Sequence, residues 1–246
     1  MKPAFGIISW MPDDDYGRRK RMERLEVTLV QLYTYWPTVD IVILAQNWKD
    51  LKPRNMTSKV HLIMRDGRLG ILGARTELRK EFLANTDYDY IIMTDDDLIL
   101  QMPTNAKAAA DELLRRMEQN PHGFAFIKAD GGDRWFPFSP YRSATLNLGV
   151  VSRYIYEREG WAHYDIEAGI GCEDAIYPYL LHCKYSELEF DIPEGITHLQ
   201  NDINPTNMPS CWVPSDIGER QVLAQKLYIN TKKVMDYITE HHDLPC

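Results

Sequence analysis

Tyr90-Ile91-Ile92-Met93-Thr94-Asp95-Asp96-Asp97-Leu98-Ile99-Leu100 is the stretch on which the reading of this sequence turns. The uncharged run before the acids is short and rich in strand-forming residues, so it reads as a buried β-strand. Ligands of open α/β sheets bind beyond the carboxyl ends of the strands, and the three aspartates stand at such an end. Like charges gathered in a partly buried crevice oppose one another's ionisation. A hard divalent cation relieves this, taking one or two carboxylates together with phosphate oxygens of a substrate. The competing reading is an acidic turn with its side chains in water. The apolar residues on both sides of the triplet, with Leu98-Ile99-Leu100 following at once, favour the cation.

Working outward, the first half alternates short apolar runs with helical patterns, as expected of a sheet with helices on both faces. The strands are predicted at Ala4 to Ser9, Val39 to Ala45, Lys59 to Met64 and Tyr90 to Thr94, with a fifth at Phe124 to Lys128. Leu25, Leu29, Leu32, Tyr33 and Trp36 recur at steps of three and four, giving a helix that Pro37 ends. A second helix is expected from about Leu72 to Leu83. A third follows Thr104, covers Ala106 to Met117 and closes before Asn120-Pro121-His122-Gly123. The second half opens with an aromatic-rich loop after Asp130. It continues with a strand at Leu146 to Val151, a helix after Cys172, and short strands near Tyr185 to Asp191 and Gly195 to His198. Loop is expected from Asn201 to Ser215, then a last helix with Leu223, Leu227, Val234 and Ile238 on one stripe. Nothing reads as a linker, so residues 1–246 are expected to form one domain: about 1–128 a nucleotide-binding half, about 129–200 an acceptor-shaping half, and about 201–246 loop and helix.

Composition fits such a domain. The 246 residues are 44% hydrophobic, 26% charged and 11% aromatic, with 14 Gly and 14 Pro showing no period, which excludes disordered, collagen-like and coiled-coil chains. With 28 basic and 36 acidic residues the net charge is −8, so the surface as a whole repels phosphate, and a nucleic-acid partner would need a local basic patch. Arg18, Arg19, Lys20, Arg21 and Arg24 form the one candidate, either phosphate contacts or a solvated helix start. Cys172, Cys183, Cys211 and Cys246 make no C-x-x-C pair, which points to reduced thiols. The sequence contains neither a signal-like segment nor an 18-residue apolar run, and the expectation is a cytoplasmic protein without a transmembrane segment.

Three further groups can carry chemistry. Gly73-Ala74-Arg75 enters the second helix, where free backbone N–H groups and a fixed guanidinium suit a diphosphate, whereas Arg79 and Lys80 read as ordinary solvated bases. Gly169-Ile170-Gly171-Cys172-Glu173-Asp174 sets two carboxylates at a helix start. They either cap the helix or, given the two glycines that permit close backbone approach, supply a general base toward a hydroxyl. His198, between apolar neighbours at a strand end, is a core histidine or a partner for Mn²⁺ beside carboxylates.

Taken in order, Ala74-Arg75, Asp95-Asp96-Asp97, Glu173-Asp174 and His198, with Asn147-Leu148-Gly149-Val150 ahead of the acceptor helix, resemble a GT-A fold glycosyltransferase of the family-2-type inverting class. The resemblance spans about residues 4–200 and lies in order and spacing. It implies a mostly parallel Rossmann-like sheet flanked by helices, with a smaller acceptor-side sheet. It further implies that Asp95 and Asp97 hold Mn²⁺ or Mg²⁺ on the diphosphate of a nucleotide-sugar donor, a UDP-sugar by expectation, with His198 completing the shell. Arg75 would bind the phosphates, Asp174 would be the base and Glu173 would orient the acceptor, giving hexosyl or pentosyl transfer with inversion. Asp96 counts among the donor-binding residues. Ser9 and Trp10 are expected to line the nucleoside pocket, with Asp66 a further candidate. Family members carry an aspartate after the second strand that reads the nucleobase. Here Ala45-Gln46-Asn47-Trp48 stands there, and amide hydrogen bonding by Gln46 and Asn47, or stacking, takes that role.

Trp135, Tyr141, Trp161 and Trp212 are core residues or stacking platforms. The acceptor is a glycan or, as in phage-type DNA-modifying members, a hydroxylated base in DNA held through the basic cluster. A non-catalytic nucleotide-sugar or carbohydrate-binding module is the alternative from another class. A sugar-nucleotide pyrophosphorylase would need a Gly-rich basic loop where Trp10-Met11-Pro12-Asp13-Asp14-Asp15 stands, and a haloacid dehalogenase-type phosphatase would need a small hydroxyl residue where Leu98 stands.

Overall fold

The computed structural model describes residues 2–85, 87–96, 98–100, 111, 114–115, 117–125, 149–159, 181, 184–185, 196–198, 233, 236 and 240. Three of the first four strands are almost wholly buried runs, as a parallel sheet covered on both faces requires: β1 (Pro3–Trp10), β2 (Asp40–Gln46) and β4 (Tyr90–Asp95). β3 (Val60–Arg65) is half-exposed because it is the edge. The remaining strands are β5 (Leu98–Leu100), β6 (Phe124–Ala125), β7 (Gly149–Ser152) and β8 (Ile196–His198). Helix α1 (Asp15–Tyr35) joins β1 to β2, α2 (Gly70–Ala84) joins β3 to β4, and α3 (Arg153–Arg158) follows β7.

A six-stranded sheet runs β3-β2-β1-β4-β7-β6, with β1 to β4 parallel and β7 and β6 antiparallel, while β5 and β8 pair as a separate two-stranded sheet. The chain leaves β1 toward β2 on one side and returns to β4 on the other, so the order reverses between β1 and β4, and their carboxyl ends flank the crevice that results.

Strand alternation divides the core in two. Phe5, Ile7, Ile41, Ile43, Tyr90 and Ile92 face α1, packing with Leu25, Leu29, Leu32 and Trp36. Ala4, Val42, Leu44, Ile91 and Met93 face α2, packing with Ala74, Leu78 and Phe82. On that second face Gly6 lets α2 come close: a Cβ there would lie 2.9 Å from Leu78 Cδ2 and 3.0 Å from Phe82 Cε2.

The expected strands and helices agree with these within a residue or two, apart from α1, which starts ten residues before Leu25 on an Asp14 cap accepting from the Gly17 N–H at 2.7 Å. Of the helix expected over 106–117, residues 111, 114–115 and 117–119 are described as helical, and it closes before Asn120 as expected. The 124–128 strand is described only at Phe124–Ala125, and the 146–151 strand at Gly149–Ser152. The aromatic loop, the helix start after Cys172, the strand near 185–191 beyond residue 185 and the apolar stripe of the last helix lie outside the described residues. Among the described residues, no helix is long and apolar enough to cross a membrane.

Candidate active site at the carboxyl edge of the sheet

The period-two rule that splits the core also splits the acidic triplet. Met93 and Ile91 face α2, and Asp95, at the same parity, meets Arg75 of α2 with its carboxylate 3.8 Å from Arg75 Nη2. Asp96 follows the opposite parity and lies wholly buried on the α1 side. There its Oδ2 accepts from Arg21 Nε at 2.9 Å and from the Ser9 hydroxyl at 2.6 Å, while Arg21 Nη2 forms an ion pair with Oδ1 at 2.6 Å. The aspartates therefore do not depend on a cation alone for charge compensation: two adjacent carboxylates have an arginine each, from opposite faces of the sheet.

Ser9 is buried and donates to Asp96, so its hydroxyl ties the end of β1 to the residue that follows β4. Trp10 is half-buried at the end of β1, with the Arg68 guanidinium 4.8 Å above its ring. Gln46 is also buried, and its side-chain carbonyl accepts from the Leu69 N–H at 2.8 Å, which fixes the approach to α2. Asn47 sits in the left-handed region at φ 56 and donates through Nδ2 to the Met11 carbonyl and to Asp13, each at 2.9 Å. Both amides where a base-reading aspartate was missing are thus engaged in bracing the loops. Asp66 is exposed in the turn after β3. The Arg75 side chain is almost fully buried, with Nη1 3.9 Å from Met93 Sδ, while Asp95 is 29% exposed and faces the crevice.

Asp97, Glu173 and Asp174 lie outside the described residues. For His198 the backbone gives the placement: β5 pairs with β8 so that Leu98 stands opposite His198, which sets the histidine beside the residue that follows the triplet. Among the described residues no cluster of three metal-ligating side chains occurs.

Arg21 is the site-edge residue that motif reading missed, having assigned it only to the basic cluster. Extending the Leu25, Leu29, Leu32 stripe backward by fours and threes puts Met22, Arg21 and Arg18 on the inward face, and that periodicity was the available clue. Arg18 donates to the Asn47 and Trp48 carbonyls at 3.0 and 3.4 Å, so two of the five bases are turned inward, while Lys20 pairs with Glu23 at 3.2 Å. Arg79, expected as a solvated base, donates to the Tyr156 carbonyl at 2.7 Å and binds α3 to α2.

No protein-family profile and no curated protein sequence matches the chain. Solved structures do resemble it. The mannosyltransferase PcManGT from Pyrobaculum calidifontis, in complex with GDP-Man and Mn²⁺, superposes with a TM-score of 0.53 at 11% identity, covering 98% of this chain and 74% of that one. A galactosyltransferase variant from Drosophila, with manganese, UDP-Gal and xylobiose, gives 0.43 at 15% identity over 84% of this chain and 76% of its own. The manganese complex of Rv0371c from Mycobacterium tuberculosis gives 0.46 at 13% identity over 78% and 89%. With the strand order and the reversal between β1 and β4, the likeness to the mannosyltransferase shows that the chain has a mixed α/β fold of the GT-A type.

Proposed function

We propose that the chain is a metal-dependent glycosyltransferase that moves a hexose or pentose from a nucleotide-diphosphate donor, a UDP-sugar first, to an acceptor hydroxyl with inversion. The observation that carries the reading is the placement of Asp95 at the reversal of strand order, its carboxylate partly exposed beside the buried Arg75. The donor chemistry fits a hard or borderline divalent ion: carboxylates from Asp95 and Asp97, with the imidazole of His198 on the strand paired to Leu98. When bound, Mn²⁺ or Mg²⁺ neutralises charge gathering on the departing diphosphate. Arg75 binds the same diphosphate from the α2 side. Asp174 takes the proton of the attacking hydroxyl, and Glu173 orients the acceptor. The nucleobase lies toward Trp10 and Asp66.

For the acceptor we favour a glycan over a hydroxylated base in DNA, because Arg18 and Arg21 of the basic cluster face the protein interior and leave Arg19, Lys20 and Arg24 for any phosphate backbone. Retention on duplex DNA that falls steeply with salt would reverse that preference.

The test is a melting series with UDP, GDP, TDP and CMP, each with and without Mn²⁺, on the wild type and on Asp97→Ala. A ligand at a hundred times its Kd stabilises by about 2.7 kcal/mol. We expect UDP to raise the melting temperature only with Mn²⁺ and only in the wild type. No shift with any nucleotide sinks the transferase reading and leaves a non-catalytic module. Asp174→Asn is expected to keep the donor-dependent shift and lose sugar transfer.

A further inference from the structure

The middle carboxylate of the triplet lies buried on the α1 side and carries a built-in counter-ion, and nothing in the proposed chemistry uses it. Asp96 is wholly buried, whereas Arg21 is partly exposed, so the pair is anchored from the carboxylate side. Two hydrogen bonds converge on Asp96 Oδ2 from two elements, from Arg21 Nε of α1 and from Ser9 Oγ at the end of β1, and Arg21 Nη2 adds an ion-pair contact to Oδ1. α1 also lies against β5, the strand that leaves the triplet, so one helix braces the turn before and after Asp97. Asp95, at the opposite parity, approaches Arg75 only to 3.8 Å, beyond hydrogen-bond length. The two adjacent carboxylates thus go to opposite faces of the sheet, one held by hydrogen bonds from Arg21 and Ser9 and the other in an ion pair with Arg75.

We propose that Arg21 is a positioning residue for the donor site, acting through Asp96. By clamping the middle aspartate onto the α1 face it fixes the chain between Asp95 and Leu98, and it compensates one of the three negative charges of the triplet. The site then presents two carboxylates, a set that suits a cation arriving with a diphosphate. The inference rests on the transferase reading and adds to it a residue that does not touch the donor.

The experiment measures, by titration calorimetry, the affinity of UDP and of GDP with and without Mn²⁺. It uses the full chain at a temperature where circular dichroism shows every variant folded. The readout is the ratio of metal-containing to metal-free affinity. Groups that orient metal ligands typically change metal affinity by about 10- to 100-fold when removed. Arg21→Met is therefore expected to lower the ratio by about tenfold or more with metal-free affinity unchanged, Arg21→Lys to restore part of it, and Ser9→Ala to lower it less. The paired variant Arg21→Met/Asp96→Val, which replaces the ion pair by apolar groups, should recover melting temperature without recovering the ratio. If the ratio recovers together with stability, or if Arg21→Met and Ser9→Ala both leave it unchanged, the pair is merely structural and the proposal is overturned. If the wild type binds neither nucleotide under any condition, the transferase reading itself falls, and this inference with it.

Discussion

The two faces of the central sheet are fastened by different physics. α2 is seated by close apolar contact, with Ala74, Leu78 and Phe82 against a strand thinned to Ala4 and Gly6. α1 buries its own apolar stripe, yet it also sends three charged side chains inward: Arg18 to the carbonyls after β2, Arg21 to Asp96, and Glu26 to Arg54. The adjacent aspartates inherit this difference. Asp96 is wholly buried and held by Arg21 and Ser9 on the polar face, and Asp95 is partly exposed in an ion pair with Arg75 on the other. Identical residues one position apart therefore do opposite work, and strand parity decides which does which.

The same isosteric change at the two positions should break the comparison most visibly. Asp96→Asn removes the charge opposite Arg21 inside the protein, and breaking a buried pair from one side costs about 3–5 kcal/mol. Asp95→Asn removes a partly exposed carboxylate that approaches the almost fully buried Arg75 only to 3.8 Å, beyond hydrogen-bond length, so a smaller loss than at Asp96 is expected. Urea unfolding of both variants checks the ordering. Nucleotide binding with Mn²⁺ should rank them the other way: a folded Asp95→Asn protein loses the metal-dependent increment altogether. Equal destabilisation of the two would remove the distinction between lock and ligand.

A smaller effect probes the apolar face. Gly6→Ala sets a methyl 2.9 Å from Leu78 Cδ2 and 3.0 Å from Phe82 Cε2. Both are side-chain atoms that give way in part, so the overpacking cost is about 1–3 kcal/mol. Because Arg75 follows Ala74 on the displaced helix, the variant should also bind nucleotide more weakly than its stability loss alone accounts for. A matched control is Leu78→Ala in the Gly6→Ala background, which makes room for the methyl and should return binding toward the Gly6 parent.

Much of this arrangement was legible in the sequence, and the illegible parts have physical causes. Periodicity located β1 to β4 and both long helices because buried parallel strands and amphipathic helices write uninterrupted patterns. The triplet at the end of β4 was legible for the same reason. What motif reading could not supply was the partner of each carboxylate, since Arg21 and Ser9 are distant in sequence from Asp96 and meet it only across β1. Gln46 and Asn47 are expected at base recognition from their place after β2, and what sequence order does not show is which groups of the fold their amides already bond. Here these are the Leu69 N–H and the loop after β1. The basic cluster reads as phosphate contacts or a solvated helix start, and it lies in the opening turns of α1; what the charges hid is that Arg18 and Arg21 turn inward there.

The mildest perturbation sharpens the comparison without any mutation at the site. Glu26 is buried on the α1 face and receives four bonds from Arg54: one from the backbone N–H at 2.8 Å and three from the guanidinium at 2.7 to 3.1 Å. Hydrogen bonding by Arg54 holds its carboxyl below the ordinary value of 4.5, against the opposing effect of burial. A carboxyl lowered in the folded state contributes stability that is fully present above its unfolded value and fades as pH falls through the folded one. Acid should therefore loosen the contact between α1 and the loop after β2 before it touches the apolar seat of α2. Amide exchange at pH 7 and pH 4 is the measurement, with protection expected to fall first along α1 and residues 48–55 and to persist through Leu78 and Phe82. In Arg54→Ala the acid-dependent loss on the α1 side should disappear, because that variant lacks the interaction at both pH values. A loss of equal size on both faces would mean that the two helices unfold as one unit, and that the polar fastening of α1 confers no separate response.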